Sequence, residues 1–226
     1  MNQMAQVLAR FGGRFAAELG IDLASGPQAR QQWFLAAILY GARISGELAA
    51  RTYRVFAARR IFSPESILAQ GWDNLVVLLD DGGYTRYDFK TATKLLKAMG
   101  TLREEYQGSL ERLHEVSRDY QDLESRLRAL APGIGPATVN IFLRELRGIW
   151  SKAVPPLSPL AHQAAEHLNL LTPGLSPEEA LQSLEKQWRT SGSAGHDFAD
   201  LEAALVRHGR ELRRRQKSRY NSSPQP

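Results

Sequence analysis

The sequence contains no cysteine. That one absence excludes disulfides, thiolate zinc sites, iron–sulfur clusters and cysteine nucleophiles together. The five histidines are scattered and show no metal-ligand spacing such as H-E-x-x-H. No apolar run approaches the roughly 18 residues of a membrane span. Residues 1–20 lack an apolar stretch ending in a small-residue cleavage site, so a cytoplasmic protein is expected. Strand-like sequence is scarce too. Residues 75–79 form one short apolar run, which sits among helical patterns.

What is present is helical. Trp33, Ala36, Ala37 and Tyr40 follow the i, i+3, i+4, i+7 spacing of one helix face. Val139, Phe142, Leu143 and Leu146 do the same, as do Leu160, Ala161, Ala164, Ala165 and Leu168. Phe198, Leu201, Leu205 and Leu212 mark a final helix. Ser63-Pro64, Ser158-Pro159 and Ser176-Pro177 read as helix starts, with Ser as cap and Pro in the first turn. Asp80-Asp81-Gly82-Gly83 reads as a turn, 190–195 as a flexible loop and 221–226 as a disordered tail. No internal repeat is evident. The fold class expected is all-α.

The 226 residues suffice for one or two domains with a substantial core. At 43% hydrophobic and 23% charged residues, the composition is that of a globular protein. Twenty-nine basic residues against 24 acidic ones give a net charge of +5. That permits a polyanionic partner without requiring one.

One segment points to such a partner. A helix is expected over 122–130, a break at Ala131-Pro132-Gly133-Ile134-Gly135-Pro136, and a second helix over 137–150. Two glycines flanking one aliphatic residue allow a tight turn and close approach to another backbone. Free N–H groups at the start of the second helix would point outward with the positive end of its dipole. That is a phosphate site made of main chain. Ile134 would anchor the turn between the helices. Gly133, Ile134, Gly135, Ala137 and Thr138 are the residues expected against a DNA backbone.

With that turn in view, the chain resembles the endonuclease III-like helix-hairpin-helix DNA glycosylases (HhH-GPD) of base-excision repair. Five segments carry the resemblance, in order. They are 33–43, ending in Gly41-Ala42-Arg43; Gly82-Gly83-Tyr84-Thr85-Arg86-Tyr87-Asp88; the turn region 130–146; Pro155-Pro156-Leu157-Ser158-Pro159-Leu160; and Arg207-His208-Gly209-Arg210. The resemblance implies a two-lobed helical glycosylase fold, with one lobe near 30–152 and the other built from 1–29 plus 153–226. It implies a monomeric hydrolase on double-stranded, damaged DNA, which flips the damaged base into a cleft between the lobes. It makes Gly83, Tyr84, Thr85, Arg86 and Tyr87, with Arg43, a loop that wedges into the base stack or touches bases.

The sequence departs from the family pattern at three places. Ala137 occupies the position where strand-cleaving members carry a lysine, so Schiff-base lyase chemistry there is excluded. Lys152 is a nearby alternative. Ser158 stands where the catalytic aspartate is expected, and a hydroxyl cannot stabilise a growing cation as a carboxylate does. Asp80, Asp81, Asp88 and His162 are the substitutes weighed. At Arg213, where many relatives begin a run of cluster-binding cysteines, a basic run follows instead: Arg210, Arg213, Arg214, Arg215, Lys217 and Arg219, after Arg207. No cofactor is expected and no iron–sulfur cluster. A monovalent cation at the turn's carbonyls is left open. A catalytically silent DNA-binding module is the alternative reading.

Overall fold

A computed structural model describes residues 3–192 and 194–222, with side chains described to residue 218. Among these residues every regular element is helical and none is a strand. The elements are α1 (Gln3–Phe11), α2 (Phe15–Glu18), a 3-10 turn (Leu23–Ser25), α3 (Pro27–Tyr40), α4 (Gly46–Ala58), α5 (Pro64–Leu68) and α6 (Gly71–Asp81). They continue with α7 (Asp88–Tyr106), α8 (Leu110–Val116), α9 (Tyr120–Ala129), α10 (Pro136–Arg144), α11 (Pro159–His167), α12 (Pro177–Ser191) and α13 (Phe198–Ser222). The apolar run 75–79 lies inside α6. No described helix is long and apolar enough to cross a membrane.

The chain divides into two compact units: Met1–Glu18 with Pro155–Pro226, and Leu19–Val154. The expected boundary at 29/30 therefore falls at 18/19. Leu23 and Ala29 are buried, and the 3-10 turn packs on α3, which draws 19–29 into the larger unit.

In the larger unit, α3 is the central helix. Trp33 to Leu39 are all buried, so α3 is covered on every side rather than along the one stripe its spacing suggested. Burying each large apolar side chain there contributes about 1.5–3 kcal/mol. Trp33 Nε1 donates to Phe142 O at 3.1 Å, and Phe34 meets Phe142 edge-on at 5.0 Å between ring centroids. These contacts fix α10 on α3. The serine and aspartate signals decide where helices begin: Ser45, Ser63, Ser109 and Asp119 each accept a backbone N–H of the first turn. The second helix of the turn segment ends at Arg144 rather than running to Trp150. Residues 145–149 form turns, with Gly148 at φ +76°.

In the smaller unit, α13 packs on α11 and α1. Leu201, Leu205 and Leu212 supply its buried stripe. A Cβ placed on Gly209 would lie 2.2 Å from Leu160 O, so α13 meets the backbone of α11 at a point where only glycine fits. Ser158 caps α11 and Ser176 caps α12. Two boundaries differ from expectation. Thr190 and Ser191 are helical, because α12 runs on into the expected loop. Asn221 and Ser222 belong to α13, while 223–226 of the expected tail lie outside the described residues.

Candidate nucleic-acid interface

The turn between α9 and α10 is built from its own sequence. Gly133 sits at φ +88°, a conformation L side chains rarely adopt. Ile134 is buried, and its N–H donates to Ala131 O at 3.1 Å. Gly135 is the extended N-cap of α10 at φ −100°, with no side-chain cap. Pro136 follows without an N–H. Val139 N–H is the first of the helix to be satisfied, on Gly135 O. The N–H groups of Ala137 and Thr138 form no such bond among the described residues. They stand at the positive end of the helix dipole. Ala137 is exposed, whereas the Thr138 side chain is buried. Its burial has a cause: a Cβ on Gly41 would lie 2.1 Å from Thr138 Oγ1, so the end of α3 presses on the first turn of α10.

The glycine–tyrosine loop carries a correction. Tyr84 is 1% exposed, and its hydroxyl donates to Leu39 O at 3.1 Å. Burial pushes its pKa up to about 12. Tyr84 is a core residue under the loop, not a side chain free to enter a base stack. The glycines are structural as well. Arg51 Nε donates to Gly82 O at 2.8 Å, and a Cβ on Gly83 would collide with Arg51 Nη2. Thr85 and Arg86 are the exposed part of the loop, with Tyr87 half-buried and the Arg86 guanidinium 5.4 Å from its ring centroid.

The catalytic candidates are mostly engaged elsewhere. Ser158 Oγ accepts Ala161 N–H at 3.3 Å as the α11 cap. Lys152 Nζ donates to His114 O at 2.7 Å and Glu115 O at 3.2 Å, closing the carbonyl end of α8, so it is not the free amine a nucleophile requires. Asp81 pairs with Arg59 at 3.0 Å on the surface. His162 Nε2 lies 3.6 Å from Glu166 Oε1, one turn along α11. Asp88 opens α7, its carboxylate accepting Phe89 N–H at 2.8 Å. Asp80 is different: partial desolvation, then neighbouring Asp88 and Asp81, raise its pKa above the usual aspartate value. Among the described residues no group of three or more His, Asp or Glu could hold a metal ion.

The sequence reading missed a cavity of about 820 Å³ beside the turn. Trp72 differs from the buried Trp33 and Trp150. It is 39% exposed and lines this cavity with Phe89, Lys94 and Gly133. Its ring meets Phe89 at 5.2 Å between centroids and its Nε1 donates to Thr93 Oγ1 at 3.0 Å, both on α7. The usable signal was the spacing Lys90, Lys94, Lys97, one cationic stripe on α7. Arg43, expected at the loop, lines the same cavity.

The basic run on α13 is partly structural. Arg207 donates to Gly12 O and Gly13 O, pairs with Glu18 at 2.7 Å and stacks over Phe15. Arg210 lies 5.3 Å from the Phe15 ring centroid, and Arg215 pairs with Glu211. Arg213, Arg214 and Lys217 are exposed. The side chain of Arg219 lies outside the described residues. No family model and no curated protein matches the chain.

Proposed function

We propose that this protein binds the phosphate backbone of double-stranded DNA with the turn between α9 and α10, in the manner of a helix-hairpin-helix motif, and acts in base-excision repair. One observation carries the reading. An uncapped helix start, with two unsatisfied N–H groups, lies behind a glycine turn whose aliphatic residue is buried. Phosphate oxygens complete such a site, because the helix dipole and the free donors favour an anion together. The resemblance of five ordered segments supplies the rest of the reading: a two-lobed glycosylase fold and removal of a damaged base. Ala137 and the engaged Lys152 favour hydrolysis by water over amine chemistry. Asp80, whose carboxyl holds its proton more readily than usual, is the acid to test first. A monovalent cation on the turn's carbonyls would suit this reading, though Ala131 O and Gly135 O already accept N–H groups within it.

The test is fluorescence anisotropy with a short duplex, joined to product assays on duplexes carrying uracil, oxidised guanine or alkylated bases. Binding weakened by Gly135→Asp on every sequence is the expected result, since phosphate contacts carry no base information. Unchanged affinity in a folded Gly135→Asp protein overturns the hairpin reading. Abasic product, revealed by alkali and lost in Asp80→Asn, is expected of the enzyme.

A second reading, a silent module that grips damaged DNA without turnover, is favoured by the commitment of Ser158 to capping α11. Binding to abasic or gapped DNA with no product from any lesion in the panel would decide for it.

A further inference from the structure

The cavity beside the turn is lined by cations without partners. Lys90, Lys94 and Lys97 reach it from α7, and Arg43 from beyond the end of α3. Among the described residues these four make no hydrogen bond or ion pair, and no carboxylate lines the cavity. Lys94 is the most informative. Its stem runs against the turn, where a Cβ on Gly133 would lie 3.0 Å from Lys94 Cε. Burial lowers its pKa below the ordinary lysine value. A half-buried ammonium with no counter-charge loses hydration without compensation, and an anion in the cavity would supply the missing partner.

Two aromatic rings line the same cavity. Trp72 and Phe89 are 39% and 58% exposed, with ring centroids 5.2 Å apart. Trp72 Nε1 donates to Thr93 Oγ1 at 3.0 Å, which holds the indole in place. Exposed ring faces beside unpaired cations are what an unstacked nucleotide needs, a surface for the base and charges for the phosphates. Paired bases within a duplex offer no free face to such a surface.

We propose that this cavity takes an unpaired nucleotide of the strand whose phosphates lie on the 130–136 turn, so that the preferred ligand is DNA with a single-stranded gap or overhang next to a duplex. The path of the strand rests on the function proposed above. The stacking site itself does not.

The full-length chain is tested by anisotropy on three ligands at one salt concentration: a blunt duplex, the same duplex with a gap of a few nucleotides, and a short oligo-dT. Quenching of tryptophan fluorescence is followed with the oligo-dT. Gapped DNA should bind roughly tenfold tighter than blunt DNA, the usual worth of one stacked base. Phe89→Ala, a change at an exposed ring, should erase that difference and leave blunt-duplex affinity as it was. Lys94→Gln should weaken oligo-dT binding. Gly135→Asp should weaken both duplex ligands and spare oligo-dT. If blunt duplex fails to bind while oligo-dT still quenches in a Phe89-dependent way, the hairpin reading falls and the stacking site stands. Equal affinity for gapped and blunt DNA, or a preference that survives Phe89→Ala, overturns the proposal. So does a concentration-dependent self-association that Phe89→Ala abolishes while oligo-dT binding stays unchanged, which would make the rings a protein contact.

Discussion

Gly133 and Gly135 flank the same isoleucine, yet a side chain would cost them differently. At φ +88° Gly133 resists any L residue, and a Cβ there would also push on the stem of Lys94. Gly135 is extended, and a Cβ there meets nothing within 4 Å. Gly133→Ala should therefore destabilise the protein by about 1–3 kcal/mol, as strained backbone does. Gly135→Asp should leave stability unchanged or slightly raised, because aspartate is a good N-cap and suits the helix dipole. The same substitution should lower affinity for duplex DNA, since its carboxylate would occupy the position proposed for a phosphate. Denaturation curves and anisotropy on the two variants separate these effects. A large stability loss in Gly135→Asp would contradict the geometry. At this scale the turn was legible, because glycine, isoleucine and proline declare their roles locally. The burial of Tyr84 was not. A tyrosine beside two glycines looks the same in sequence whether its ring goes out or in, and only Leu39 O, 45 residues earlier, decides the matter.

The elements repeat that contrast between local and distant causes. The Ser-Pro helix starts at 63, 158 and 176 were readable, because capping is settled within one turn. The apolar run 75–79 was ambiguous by length alone, and it is helical within α6. The full burial of α3 could not be read from its spacing, since it depends on four other elements closing around it. Glycines at crossings belong to this scale too. Gly209 lets α13 approach α11, and a Cβ there would lie 2.2 Å from a carbonyl oxygen and 2.8 Å from its carbon. Backbone cannot swing aside as a side-chain tip can. Gly209→Ala should force the two helices apart and destabilise the smaller unit by about 1–3 kcal/mol or more, the usual effect of overpacking. Hydrogen exchange should report the loss in α11 and α13 while α3 and α10 stay protected. Uniform loss across both units would count against this assignment.

For the whole molecule, proton and salt dependence are the accessible readouts. One histidine in each compact unit has a depressed pKa. Burial lowers His114, with Lys152 adding to the effect, and burial then His167 lower His208. A depressed folded pKa means that the unfolded chain takes up protons first as pH falls. The stability these two groups contribute is present above the ordinary histidine value of about 6.5 and is lost progressively below it. Denaturation midpoints should fall between about pH 7 and pH 5, and less steeply in a His208→Gln variant. Salt reports on the ligand instead. The net charge of +5 says little by itself, because 24 acidic residues dilute 29 basic ones. What matters is where cations stand unpaired, and the stripe Lys90, Lys94, Lys97 faces one cavity with Arg43. If each holds one phosphate, the logarithm of the binding constant for gapped DNA should fall with the logarithm of salt by about 0.7–0.9 per contact. Lys94→Gln should then flatten that slope by nearly one contact. Arg213→Gln, on the exposed α13 run, should flatten it only if that helix also lies on the DNA. A slope unchanged by Lys94→Gln would remove the phosphate from the cavity, and with it the reason an ammonium is half-buried there without a partner.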